Sequence, residues 1–165
     1  MKAVYLSLGS NMGDRAANIA RTVAALAARG VRVTRESSLY ETEPVEMREQ
    51  AWFLNCVVEA ETEMMPLQLM HALLGIERRL GRARRVPKGP RVIDIDILLF
   101  GSSVVRAEEL EIPHPRMAER RFVLVPFAEI APGMRHPVLR KTIAELLAET
   151  GDRSEVRLAK TEKRK

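Results

Sequence analysis

The chain has 165 residues, 46% of them hydrophobic, which is the size of one domain with a real core, and no apolar run is long enough to span a membrane. A single cysteine, Cys56, excludes an internal disulfide framework and fits a reducing, cytoplasmic setting. The net charge of +5 suits a polyanionic partner, nucleotide or nucleic acid, but 4% aromatic residues is sparse for base-stacking surfaces.

The elements alternate without repeats or low-complexity linkers. Residues 4–8 read as a buried strand, and the turn Gly9-Ser10-Asn11-Met12-Gly13 makes the N-terminus a poor signal peptide. Asp14 can cap a helix whose apolar stripe includes Ile19, Val23 and Leu26, and Gly30 ends it. Residues 31–40 alternate as a second strand, 41–50 form a loop, and 53–61 form a third strand, with Cys56 as a small core residue. Pro66 opens a second helix with the stripe Leu69, Leu73, Ile76 and Leu80, and Gly81 stops it. A basic loop over 82–91 leads into a fourth strand at 92–100. The order β-α-β-β-α-β is the split ferredoxin-like arrangement, an α+β fold with two helices on one face of an antiparallel sheet. Short strand pieces near Val104 and Leu110, a proline-rich turn at 113–115 and a last helix at 142–149 could cover the other face. Residues 1–158 are expected to be a single catalytic domain and 159–165 a disordered basic tail.

The sharpest chemical signal is Asp94 and Asp96. Two residues apart on a strand, they point to the same face, roughly 6.5–7 Å apart, while Ile93, Ile95 and Ile97 face the core. Such a pair repels itself unless a divalent cation or nearby arginines offset the charge, and magnesium accepts one or two carboxylates plus substrate phosphates. The basic loop just before them (Arg82, Arg84, Arg85, Lys88, Arg91) offers forks that suit phosphate oxygens, or a nucleic-acid footprint. His114, fixed between prolines, is structural or a phosphate donor. Glu77 reads as a helix-edge carboxylate pairing with Arg84 or its neighbours. Asn55, inside an apolar strand, is either satisfied locally or reads a polar ligand, and Phe53 shares its face.

The colinear motifs LSLGSNMGD, SLYETEPV, FLN, IERRLGRAR, KGPRVIDIDILLFG and IPHPRM, with RF shortly after, resemble 6-hydroxymethyl-7,8-dihydropterin pyrophosphokinases over residues 3–133. The resemblance implies three αβα layers and transfer of pyrophosphate from ATP to the hydroxymethyl group of the dihydropterin, releasing AMP, in folate synthesis. It implies that Asp94 and Asp96 ligate two magnesium ions and that Arg82, Arg91 and His114 contact the triphosphate. It further implies that Arg84 is a catalytic-loop arginine, Arg120 a basic position of the ATP site and Glu77 a neighbour of the nucleotide. Phe53 and Phe122 would sandwich the pterin, and Asn55 with the backbone from Thr42 through Pro44 to Val45 would read its polar edge. Lys88, Pro115 and Glu46 depart from the family's usual residues. The expected partners are the two small-molecule substrates, with no nucleic acid and no membrane, for a monomer or weak dimer. Rival readings are a nucleotidyltransferase, whose Gly-Ser turn would lie nearer the carboxylates, and an RNA-binding module with no need of magnesium.

Overall fold

The computed structural model describes residues 1–45, 49–81 and 91–160. Strand β1, Lys2–Ser10, lies at the centre of an antiparallel sheet, between β4, Phe53–Thr62, and β5, Asp94–Phe100. It runs two residues beyond the expected strand end, so Gly9 and Ser10 belong to the ladder and not to the turn: Gly9 pairs with Asn55 on one side and Asp94 on the other.

Helix α1, Arg15–Ala28, starts where Asp14 accepts the Ala17 N–H at 3.1 Å, and Ile19 and Leu26 bury its inner face. Gly30, with φ at +85°, then turns the chain into the sheet, a conformation that glycine adopts without the clash a Cβ would bring. Helix α2, Pro66–Arg79, begins with proline at its first position and buries Leu69, Leu73, Ile76 and Glu77.

The expected second strand at 31–40 is two strands, β2 at Val31–Glu36 and β3 at Tyr40–Thr42, both paired with β4. Ser37 divides them. Its hydroxyl takes the Val57 N–H at 3.0 Å while its own N–H donates to the Val57 carbonyl at 2.9 Å, so a side chain stands in for a ladder bond. Beyond β5, the short pieces β6, Val105–Arg106, and β7, Glu111–Ile112, form a separate hairpin before the cis Ile112–Pro113 bond.

Two elements were not expected. Helix α3, Arg121–Ile130, follows a 3₁₀ turn at Met117–Glu119 and contains Pro126. Proline removes one helical hydrogen bond, but Val123, Leu124, Phe127 and Ile130 are buried against the sheet, and that packing outweighs the local preference. After α4, Ile143–Glu149, which Thr142 caps through the Glu145 N–H, the strand β8, Val156–Leu158, adds to the edge of β3. Ala159 also donates to the Leu39 carbonyl, one residue past the expected domain limit, and 161–165 lie outside the described residues.

The main sheet runs β5-β1-β4-β3-β8, with β2 also on β4. Helices cover both faces. One core joins Val4, Leu6, Leu8, Cys56, Val58, Ile95 and Ile97 to α1 and α2. The other joins Tyr5, Val57, Leu98 and Leu99 to α3 and α4. Cys56 is buried in the core under α1 and α2 as expected, its thiol pushed up to about 12 mainly by burial. Among the described residues no helix is long and apolar enough to cross a membrane.

Candidate active site

On the α3 face, the register aligns Ser7 with Val57 and Asp96, and Gly9 with Asn55 and Asp94. The helices cover only the Tyr5 end of this face. At the Gly9 end the sheet is the floor of a cavity of about 530 Å³. Ser7, Gly9, Phe53, Asn55, Asp94 and Asp96 line it from the strands; Thr42, Glu43, Pro44, Val45 and Gln50 line it from the loop after β3. Leu74 and Glu77 of α2, then Arg91, His114, Arg116, Arg120 and Phe122, complete it. Every site residue expected from the sequence that is among the described residues lines this one cavity; Arg82, Arg84, Arg85, Lys88 and Glu46 lie outside them.

At the carboxylate end, Arg91 pairs with Asp94 through an Nη1–Oδ1 contact of 3.0 Å. Burial, followed by the neighbouring charge of Asp94, pushes the Asp96 carboxyl up to about 7, while Arg120 and Arg91 pull it down. The Nε atoms of Arg91 and Arg120 are buried without a hydrogen-bond partner among the described residues. Two carboxylates that repel each other and two arginine nitrogens in want of acceptors fit a cation carrying phosphate oxygens. A magnesium ion on these carboxylates would take phosphate oxygens and water as further ligands.

Glu77 is not at a helix edge. It is 3% exposed, and its Oε2 takes the Ile95 N–H at 2.7 Å, which ties α2 to the strand between the two aspartates. Its position in the buried stripe, one residue after Ile76, carried that signal. His114 donates its backbone N–H to the Leu98 carbonyl, and its Nδ1 accepts the Arg116 N–H at 3.1 Å. Burial and then the charge of Arg120 lower it to about 4, so at neutral pH the imidazole is uncharged with its proton on Nε2.

At the other end, Asn55 is 4% exposed and is held by its neighbours: its Oδ1 accepts from Thr42 Oγ1 at 2.5 Å, and its Nδ2 donates to the Leu8 carbonyl at 3.4 Å. Gly9 makes room for it. A Cβ there would stand 2.5 Å from Asn55 Nδ2 and 3.5 Å from the Phe53 ring. Arg120 lies over the Phe122 ring, 5.5 Å from its centroid. Asn11 was read only as part of a turn. It takes the Arg91 N–H on Oδ1 at 2.7 Å and donates to Gln50 Oε1 and the Ala51 carbonyl, joining two segments that border the cavity. A smaller recess continues past Asp96 and His114, walled by Met70, Leu74, Ile97 and Leu110 and by the acidic residues Glu108, Glu109 and Glu111.

A cavity with carboxylates and arginines at one end and an amide and aromatic rings at the other is built like the site of a small-molecule transferase that handles phosphate. A family model described as 7,8-dihydro-6-hydroxymethylpterin-pyrophosphokinase (HPPK) matches residues 5–132, and the chain belongs to that family. The chain is 50% identical over 127 residues to the 2-amino-4-hydroxy-6-hydroxymethyldihydropteridine pyrophosphokinase of Bacillus subtilis, covering 76% of each chain. It is 47% identical over 149 residues to that of Methylorubrum extorquens, covering 90% of this chain and 93% of the other. It is also 42% identical over 143 residues to the folic acid synthesis protein fol1 of Pneumocystis carinii, of which it spans only 19%. Among solved structures, the Plasmodium falciparum HPPK-DHPS with pteroate superposes with a TM-score of 0.73 at 19% identity, over 90% of this chain and 42% of that one, a likeness of fold.

Proposed function

We propose that this cavity carries out the reaction of the family: pyrophosphate passes from ATP to 6-hydroxymethyl-7,8-dihydropterin, giving AMP and the pterin diphosphate, a step of folate biosynthesis. The carrying observation is that one cavity holds the carboxylate pair with Arg91, Arg120 and His114 at one end and Thr42, Phe53, Asn55 and Phe122 at the other. Asp94 and Asp96 hold magnesium, read as two ions, which would offset charge on the transferring group. Arg91 and Arg120 turn their unpartnered nitrogens to phosphate oxygens, with Arg82 and Arg84 as further contacts, and neutral His114 donates from Nε2. The recess beside Asp96 takes the nucleoside of ATP, a continuation lined by apolar side chains and by Glu108, Glu109 and Glu111 that the motifs did not single out, and Glu77 holds the strand there. Phe53 and Phe122 flank the pterin, while Asn55 and the backbone from Thr42 to Val45 read its polar edge.

In this reading the substrate hydroxyl attacks the β-phosphorus and gives up its proton to solvent, and the bond from the β-phosphorus to the oxygen bridging it to the α-phosphorus breaks as AMP departs. Positioning and electrostatics supply most of the acceleration, as is usual for phosphoryl-type transfer. The β5-β1-β4-β2 order is read as the ferredoxin-like βαββαβ core, one catalytic domain over 1–158. The chain is read as cytoplasmic, a monomer or weak dimer, acting on small molecules and not on nucleic acid.

The test is chromatography of the nucleotides after incubation with ATP, magnesium and the dihydropterin. Pterin-dependent AMP without free pyrophosphate is expected. Free pyrophosphate would overturn the reading in favour of nucleotidyl transfer, and ADP in favour of an ordinary kinase.

A further inference from the structure

Residues 152–156 lie beyond the segment matched by the family model and do not line the cavity, yet they are bonded to two of its walls. One wall is the start of α3, which carries Arg120 and Phe122. No side chain of the local sequence caps this helix. Asp152 does so from 31 residues away: its Oδ2 takes the Arg121 N–H at 2.8 Å, and the Ser154 carbonyl takes Arg121 Nε at 3.0 Å. The carboxylate is itself fixed, because Oδ1 accepts from the Ser154 N–H at 2.9 Å and from its hydroxyl at 2.5 Å. A negative group at a helix N-terminus is favoured by the orphan N–H groups and the dipole there, and these bonds hold Asp152 ionised, below the usual carboxylate range against the effect of burial.

The other wall is the strand end and loop that carry Thr42, Glu43 and Pro44. Val156 pairs with Thr42. Glu43 donates its N–H to the Glu155 carbonyl at 3.2 Å, and the Glu155 N–H returns to Glu43 Oε1 at 2.6 Å. Five consecutive residues therefore join the Arg120–Phe122 wall to the Thr42–Pro44 wall. Near the far end of α3, Glu129 also ties the helix to the start of β3, accepting from the Ser38 N–H at 3.0 Å and the Tyr40 hydroxyl at 2.7 Å, whereas residues 152–156 bond the first turn of α3, which has no local side-chain cap, to Thr42 and Glu43.

We propose that residues 152–156 are a strap that sets the separation of these walls, and that Asp152 is a positioning residue for Phe122 and Arg120. The proposal rests on reading the cavity as the pterin and triphosphate site. Loss of the cap lets the first turn of α3 fray, and the ring and guanidinium it carries then spend less time at the substrate. A cap that only stabilised the helix would lower the melting temperature and leave substrate affinity alone.

The test compares Asp152→Ala, Asp152→Asn and Phe122→Ala in the full chain, well below their unfolding midpoints. The readouts are the Kd for the dihydropterin with magnesium and a non-hydrolysable ATP analogue present, and the KM for each substrate. Asp152→Ala is expected to raise the pterin Kd about fivefold, the usual worth of a helix cap, and Asp152→Asn, which keeps one acceptor oxygen, to raise it less. Ser154→Ala removes only one bond to Asp152 and is expected to raise it about twofold, which keeps the test available if Asp152→Ala does not fold. Pterin Kd values unchanged in the Asp152 and Ser154 variants but raised in Phe122→Ala would overturn the strap and leave the site reading intact. A Phe122→Ala chain that binds the pterin like the parent would overturn both.

Discussion

The two halves of one sheet face make the clearest contrast in this molecule. At one end Tyr5, Val57 and Leu99 lie under α3 and α4, and the Tyr5 ring stacks on Phe127 with centroids 4.8 Å apart. At the other end Ser7, Gly9, Asn55, Asp94 and Asp96 come from the same three strands and face the same way, but the cavity lies over them. The change falls at the slip in register between Tyr5 and Leu6, where β5 fits an extra residue and turns Leu98 and Leu99 to the helix side. A single pleated surface thus gives stability where helices cover it and chemistry where they stop.

Breaking the covered half should cost most in stability. Phe127 is fully buried, and Phe127→Ala should lose about 3–5 kcal/mol in urea unfolding. An equally large loss from truncating Asp96 would erase the contrast, because the open half should contribute activity and little folding energy. Asp96→Ala is expected to cut turnover by at least about 10²-fold with the circular dichroism spectrum unchanged. Near-normal turnover would remove Asp96 from the cation site.

Gly9→Ala sharpens the comparison within the floor itself. The added methyl group would displace the Asn55 amide from between Thr42 and Leu8. The pterin KM should rise about tenfold, the order of one lost hydrogen bond, with the ATP KM unchanged. Equal changes in both KM values would mean that the strand as a whole had moved.

The smallest effect is a pH dependence. His114 has a folded value of about 4 against an ordinary 6.5, so the unfolded chain binds more protons between these limits. Its contribution is complete above about pH 6.5 and is lost as pH falls towards 4. Asp96, raised to about 7, acts in the opposite sense, so the informative quantity is a difference. The melting temperature of His114→Gln should fall less than that of the parent between pH 7 and pH 5. A parallel fall would show that His114 is not the group being charged.

Much of this was legible in the order of residues. The 3.6-residue stripes of α1 and α2, the Asp14 cap, the opening proline at Pro66 and the alternation of Asp94 and Asp96 with isoleucines are local patterns, and each sits where local physics puts it. Helix α3 has Val123, Leu124, Phe127 and Ile130 at helical spacing, but Pro126 in the middle of the run argues against a helix, and burial against the second sheet face overrides that. The break at Ser37 depends on a hydroxyl that meets Val57, twenty residues away in the chain, and nothing in the neighbouring sequence announces it. Glu77 reads in sequence as a helix-edge carboxylate beside the core stripe, and its true partner, the Ile95 N–H, is on a strand eighteen residues further on.

The sequence by itself determined which segments are helix and strand where periodicity is strong, the facing of the two aspartates, and a set of polar and aromatic residues without an evident structural task. Those properties depend on neighbours within a turn or a strand. Only the tertiary structure decided that the carboxylates, the arginines, the amide and the rings share one cavity, that Gly9 is the gap in which Asn55 lies, and that Asp152 closes a helix begun 31 residues earlier. Those depend on which distant backbones pair and which half of a sheet face the helices leave open, and that follows from packing the whole chain at once.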